Sequence, residues 1–125
     1  MRKNLSHYRN YVCPECFEQL NVCRCNFMPH SLIMIDEGVQ ECVRELNKKN
    51  YRTSGCCEGH FRGVCRDLYI SFGMEHNIFG NLPDGFSYNE KRKMIVYVYN
   101  AENQADFEVE KIRAAEKLTE WVKSL

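Results

Sequence analysis

The chain has 125 residues, a hydrophobic fraction of 44% and no formal net charge, with 17 basic and 17 acidic residues. These figures exclude wholesale disorder and the basic excess that non-specific duplex nucleic-acid binding requires. No run approaches the roughly 18 apolar residues of a membrane span, and the N-terminal segment MRKNLSHYRNY lacks the apolar stretch of a signal peptide. The expected setting is therefore cytoplasmic. There, the eight cysteines read as thiols or metal ligands rather than disulfides.

The division expected is an N-terminal arm and knuckle over residues 1–28 and an α+β domain over 29–125. After the polar arm come Cys13, Cys16, Cys23 and Cys25, in the pattern C-P-E-C, six residues, C-R-C. Next, Leu32 to Ile35 is apolar, and Asp36 is a natural N-cap. Val39, Cys42, Val43 and Leu46 recur at helical spacing between charged residues, which predicts an amphipathic helix ending near Lys49 and Asn50. Cys42 lies on its apolar face and reads as core.

Tyr51 to Cys57 reads as a strand running into a glycine-flanked loop, and Asp67 to Phe72 as a second strand. Residues 73–91 read as irregular because of their glycines and the turn Leu82-Pro83-Asp84-Gly85. Ile78, Phe79, Leu82 and Phe86 are expected to pin this segment to the body. Lys93 to Tyr99 is the clearest strand, and both its faces are apolar enough to be covered, which suggests a central position. The last element is a helix over about 104–123, with an expected stripe of Ile112, Ala115, Leu118, Val122 and Leu125 and with Phe107 and Trp121 at its edges. The fold class expected is α+β: a small, mainly antiparallel sheet of three or four strands with two helices on one face, plus the N-terminal zinc knuckle.

The chemistry sits in two cysteine clusters. Zinc takes four thiolates at tetrahedral corners. A C-x-x-C pair turns two sulfurs to one point, and a second close pair completes the set, so Cys13, Cys16, Cys23 and Cys25 read as one closed structural zinc site. An iron–sulfur cluster uses the same donors. A thioredoxin-like redox pair would want its C-x-x-C at a helix start after a buried strand, and Asn10-Tyr11-Val12 is short and polar for that role. His30 reads as a loop histidine, with substitution for one of the cysteine ligands as the alternative. Tyr11, Phe17, Leu20, Val22 and Phe27 are candidates for packing the knuckle on the domain.

The second cluster is Gly55-Cys56-Cys57-Glu58-Gly59-His60-Phe61-Arg62-Gly63-Val64-Cys65. Three chemistries fit it. Cys57 with His60 makes a nucleophile–base pair oriented by Glu58. A second zinc would use Cys56, His60 and Cys65, with His76 as a further ligand. In a non-covalent site, Cys57, Glu58, His60 and Arg62 grip an anionic or nucleotide-like ligand, with loop amides helping. A structural turn with buried thiols is the plain alternative.

Leu46-Asn47 and the run from Asn50 to His60 resemble the T-S-S-C-S-G-R segment of the tRNA wybutosine-synthesis methyltransferases. Thr53, Ser54, Cys57 and Gly59 fit that pattern, and His60 stands in place of its Arg. The resemblance covers about fifteen residues and implies tRNA modification by methyl transfer. The wider layout resembles small proteins of Firmicutes and their phages. Those carry an N-terminal cysteine knuckle, a loop like that of Tyr51, Thr53, Cys57, Gly59 and His60, and a segment like Leu82-Pro83-Asp84-Gly85-Phe86. That likeness implies no particular activity.

The leading expectation is a zinc-containing protein whose 55–60 loop binds a nucleotide-like or RNA ligand, with Tyr69, Tyr97 and Tyr99 serving either as stacking surfaces or as core. The alternatives are an enzyme using Cys57 and His60, and a phage-type protein-interaction or inhibitor module.

Overall fold

In a computed structural model of the chain, which describes residues 9–19, 22–25, 32–63, 65–74, 76 and 79–125, the alternation of apolar side chains builds a one-sided sheet. The elements in order are β1 (Tyr11–Val12), β2 (Ile33–Met34), a 3₁₀ turn (Glu37–Val39), α1 (Gln40–Lys48), β3 (Thr53–Cys57), β4 (Leu68–Phe72), a second 3₁₀ turn (Phe79–Asn81), β5 (Phe86–Asn89), β6 (Met94–Tyr97) and α2 (Gln104–Lys123). The main sheet is antiparallel in the order β3-β4-β6-β5, and β1 pairs with β2 in a separate ribbon. The expected α+β class, with two helices and mainly antiparallel pairing, is what forms.

In β4, Leu68, Ile70 and Phe72 are buried, while Tyr69 and Ser71 between them are only partly so. Ile70 pairs with Ile95 of β6, and both are fully buried. Val39, Cys42, Val43 and Leu46 of the first helical segment join the same core, as do Phe107, Ala114, Leu118 and Val122 of α2. Cys42 is thus the core residue expected of it. The stripe of α2 is rotated from the expected one. Ile112 is 58% exposed and Ala115 only half-buried, while Phe107, expected at an edge, is fully buried. Lysine and glutamate flank several apolar positions of α2, so periodicity alone left two adjacent stripes competing.

β6 is central, between β4 and β5, but only one of its faces is covered. Val98, just past its end, is 61% exposed, and Met94 and Val96 are half-buried. Both helices belong to the other face, so the apolar character of Met94, Val96 and Val98 overstated their burial. The fourth strand, β5, lies inside the segment read as irregular. Its short span follows Gly85, whose φ of +90° sits directly beneath the Tyr97 ring. Phe79, Leu82 and Phe86 do pack on the core; Ile78 lies outside the described residues.

α1 starts later than its periodicity suggests, because the first turn is 3₁₀. Asp36 stands at the N-cap position but makes no side-chain cap. The C-terminus ends as expected: Asn50 takes φ of +68°, and Tyr51 N–H reaches the Leu46 carbonyl at 2.9 Å. α2 is capped by Asn103, whose side chain accepts from Asp106 N–H at 2.8 Å.

The knuckle shares the main core through Val12 and Phe17. Tyr11 and Val22 are instead exposed, and Leu20 and Phe27 lie outside the described residues. Strand alternation explains Tyr11, since Val12 faces inward and its neighbour must face out. Polar bonds tie the knuckle to the first helical segment. Arg44 meets Glu18 at 3.0 Å, and Gln19 Nε2 donates to Gln40 Oε1 at 2.9 Å. Among the described residues, no helix is long and apolar enough to cross a membrane.

The β6–α2 connection is held by Glu110, whose carboxylate accepts from Tyr97 Oη at 2.8 Å, Asn100 N–H at 3.0 Å and Ala101 N–H at 2.9 Å. Burial acts to raise the Glu110 pKa, but the bonds from Tyr97, Asn100 and Ala101, with Arg66 nearby, outweigh it and leave the pKa lowered. A carboxylate with a depressed folded pKa adds stability above its unfolded value and loses it as pH falls through the folded one. Glu110→Gln should therefore cost about 1 kcal/mol at neutral pH, a figure kept small by the site's solvent access. Urea unfolding should show that difference shrinking as pH falls below about 4.

Candidate metal centre and the adjoining loop

Cys13 leaves β1 at its end and is fully buried. The chain then turns through Pro14 and Glu15 to Cys16, with Phe17 N–H closing on the Cys13 carbonyl at 2.8 Å and Phe17 itself at φ of +60°. A second turn places Cys23 and Cys25, Cys23 N–H reaching the Gln19 carbonyl at 2.9 Å. The four sulfurs all lie within 4.8 Å of one another. A zinc tetrahedron with bonds of about 2.3 Å has edges of about 3.8 Å, so the thiols stand near ligand spacing.

The backbone is arranged around these sulfurs as a second layer. Glu15 N–H donates to Cys13 Sγ at 3.3 Å, and Cys25 N–H donates to Cys23 Sγ at 3.3 Å. Such N–H···S bonds favour the charged thiolate that a metal needs. Burial would raise Cys13, but bonds from the Cys16 and Glu15 amides and from the neighbouring thiols lower its pKa. Cys25 is pushed up to about 12, first by its bond with Cys16 and then by desolvation. The C-x-x-C lies in a turn and not at a helix start, so it lacks the helix terminus that would activate a redox pair. His30 lies outside the described residues.

The second cluster is rearranged relative to its sequence reading. Cys56 packs against the core. It pairs with buried Ile70, and burial pushes its thiol up to about 11 although the nearby Asp36 amide acts to lower it. It therefore does not join His60. Cys57 does, together with Asp36: one ligand atom from each of Asp36, Cys57 and His60 lies within 4.8 Å of the others. Cys65 lies beside Cys57 at hydrogen-bonding distance but outside that group, its sulfur directed at the Asp67 carbonyl at 3.3 Å. The proposed trio of Cys56, His60 and Cys65 is thus replaced by Asp36, Cys57 and His60, because adjacent strand residues point to opposite sides. His76 is elsewhere, ringed by Tyr51, Phe72 and Phe79.

Glu58 is also placed differently from its expected orienting role. Its carboxylate lies against Gly38 and 3.6 Å from Lys111 Nζ, so Asp36 is the acid that meets His60. Sequence reading missed Asp36 because the cap position explained it already. No local signal could have found it, because Asp36 and His60 are separated by a helix and a strand. Arg62 is exposed in the turn after His60. Burial first, then the bond with Cys65, pushes the Cys57 thiol up to about 12, whereas a nucleophilic thiol needs a lowered value.

Across the helix-free face of the sheet runs an open groove of about 890 Å³, lined among others by Cys65, Arg66, Tyr69, Arg92, Met94 and Val96. Tyr69 therefore faces the groove. Tyr99 is buried, and Tyr97 lies under α2 bonded to Glu110. Arg66 is steadied by a 2.7 Å bond to the Ala101 carbonyl and by the Phe61 ring beneath it.

Searches against family models, curated proteins and solved structures find no match for this chain. The class of protein that the fold and site define is a small α+β protein with a four-cysteine group positioned to hold a metal ion.

Gly59 sets the loop's geometry. Its φ is +92°, and a Cβ there would stand 2.7 Å from the Arg66 carbonyl and press into the Tyr99 ring. Tyr99 Oη donates to the Glu58 carbonyl at 2.6 Å, so that ring is not free to retreat. Gly59→Ala should destabilise the fold by about 2–4 kcal/mol, visible as a lowered thermal midpoint against Gly73→Ala, where a Cβ would meet nothing within 4 Å.

Proposed function

We propose that the ion held by Cys13, Cys16, Cys23 and Cys25 is zinc, and that the protein binds a nucleotide-like group, free or at an RNA end, on the open face of its sheet. Soft thiolates in a closed set of four suit zinc, and they leave no coordination position for substrate. The ion would clip the N-terminal ribbon to the first helix and take no part in chemistry.

The observation that carries the ligand reading is the groove on the face opposite the helices, whose lining includes Tyr69 and Arg92. An aromatic ring with a guanidinium group in the same groove offers a base a stacking partner and its phosphate a counter-charge. The groove's volume of about 890 Å³ falls within the usual range for small-ligand sites. It adjoins the 55–65 loop through Gly55 and Cys65, so the ligand sits beside that loop and need not enter it. Single-stranded recognition also fits a chain with no net basic charge, since stacking contributes where counterion release does not.

Two measurements test this. Metal analysis of protein never exposed to chelator should return at least one zinc per chain, and Cys16→Ser should lose one equivalent; less than half an equivalent in the wild type would sink the assignment. Fluorescence anisotropy with short single-stranded RNA, competed by mononucleotides, should show binding that Tyr69→Ala weakens about 5- to 150-fold, the worth of one stacked base. Unchanged affinity in Tyr69→Ala would remove the groove from the account.

A further inference from the structure

Asp36, Cys57 and His60 come from three separate parts of the chain: the β2–α1 junction, the end of β3 and the loop beyond it. Their ligand atoms lie within 4.8 Å of one another, and His60 Nε2 stands 3.3 Å from Asp36 Oδ2. Two ligands about 2.0–2.1 Å from a tetrahedral zinc lie about 3.3–3.4 Å apart, so the nitrogen and oxygen already sit at ligand spacing.

We propose that Asp36, Cys57 and His60 form a second zinc site, with three protein ligands and a fourth position open to solvent. The donor set of sulfur, imidazole and carboxylate suits zinc over calcium or magnesium, which take oxygen ligands. Three protein ligands plus water is the arrangement of reactive zinc centres, in contrast to the closed set at the N-terminus.

Each ligand is held for the purpose by its surroundings. The Asp36 carboxylate leaves its helix uncapped and accepts instead from Glu58 N–H at 3.0 Å. Cys57 Sγ accepts from Gly59 N–H at 3.4 Å and is buried. His60 is clamped by its own N–H to the Cys65 carbonyl at 3.0 Å and by Gly63 N–H to its carbonyl at 3.1 Å. Gly63 lies so close that a Cβ would stand 2.8 Å from His60 Cβ. Outer bonds of this kind orient metal ligands. The His60 side chain is 48% exposed, so the open position faces water. Cys65 stays outside the ligand group, and it lines the groove on the sheet face. The open position would take water or the oxygen of an anion.

The test is zinc stoichiometry by native mass spectrometry after equilibration with zinc and removal of the excess. Wild type should carry two ions per chain, and His60→Ala and Asp36→Asn one each, with unchanged circular dichroism. Cys16→Ser should lose the other ion, so the two sites are told apart whatever becomes of the RNA-binding reading. In cobalt-loaded protein, a weak thiolate charge-transfer band should vanish in His60→Ala while the intense band of the four-thiolate site remains. Cys65→Ser should keep both ions. One ion in wild type, or two in His60→Ala, overturns the proposal and leaves an ordinary His–Asp pair beside a buried thiol. Loss of the second ion in Cys65→Ser overturns the three-ligand assignment. Should Asp36→Asn fail to fold, His60→Ala decides alone, because its exposed ring contributes little to the core.

Discussion

Leu68, Ile70 and Phe72 of β4 and Ile95 of β6 lie hidden beneath two helices, and the rest of the molecule is arranged around that covered face. A sheet with helices on one side has one dry face and one wet face. The dry face fixes strand register, because a slip of one residue would turn Ile70 and Ile95 to water and bring Tyr69 and Val96 inside. The wet face is then free to be a surface, which is why the groove with Tyr69, Arg66 and Arg92 exists at all.

The same burial positions the loop. α1 and α2 pack on each other and on the sheet, and Lys111 and Tyr99 reach from that side to hold Glu58 through its carboxylate and its carbonyl. With Glu58 anchored, the chain beyond it can only turn outward at Gly59, and His60 comes round to meet Asp36. Asp36 links the two regions. It begins the first helical segment, and its carboxylate takes the Glu58 amide. A residue that would ordinarily cap a helix here joins the helix start to the end of β3.

The N-terminal knuckle depends on this body as well. Val12 and Cys13 are fully buried, and Gln19 and Glu18 bond to the first helix. A metal ion there would lock a ribbon that the core has already seated. In a chain of this length, with a modest core, such a clip contributes where burial alone leaves a small margin.

Local patterns in the sequence determined a good part of this. C-x-x-C with C-x-C announces four converging thiols, because close pairs on turns must point the same way. The spacing of Val39, Cys42, Val43 and Leu46 determined a helix and its buried side, and Asn50 its end. What only the tertiary structure decided depends on contacts distant in the chain. The pairing of Asp36 with His60 spans the helix and a strand, and no local period records it. The choice of Cys57 over Cys56 turns on which side of β3 the helices cover, and the α2 stripe on which of two adjacent faces meets the sheet. β5 is a strand because β6 offers it an edge, not because its four residues insist on one. The sequence by itself determined which groups are present and which way short elements lean; long-range packing decided which of those groups meet.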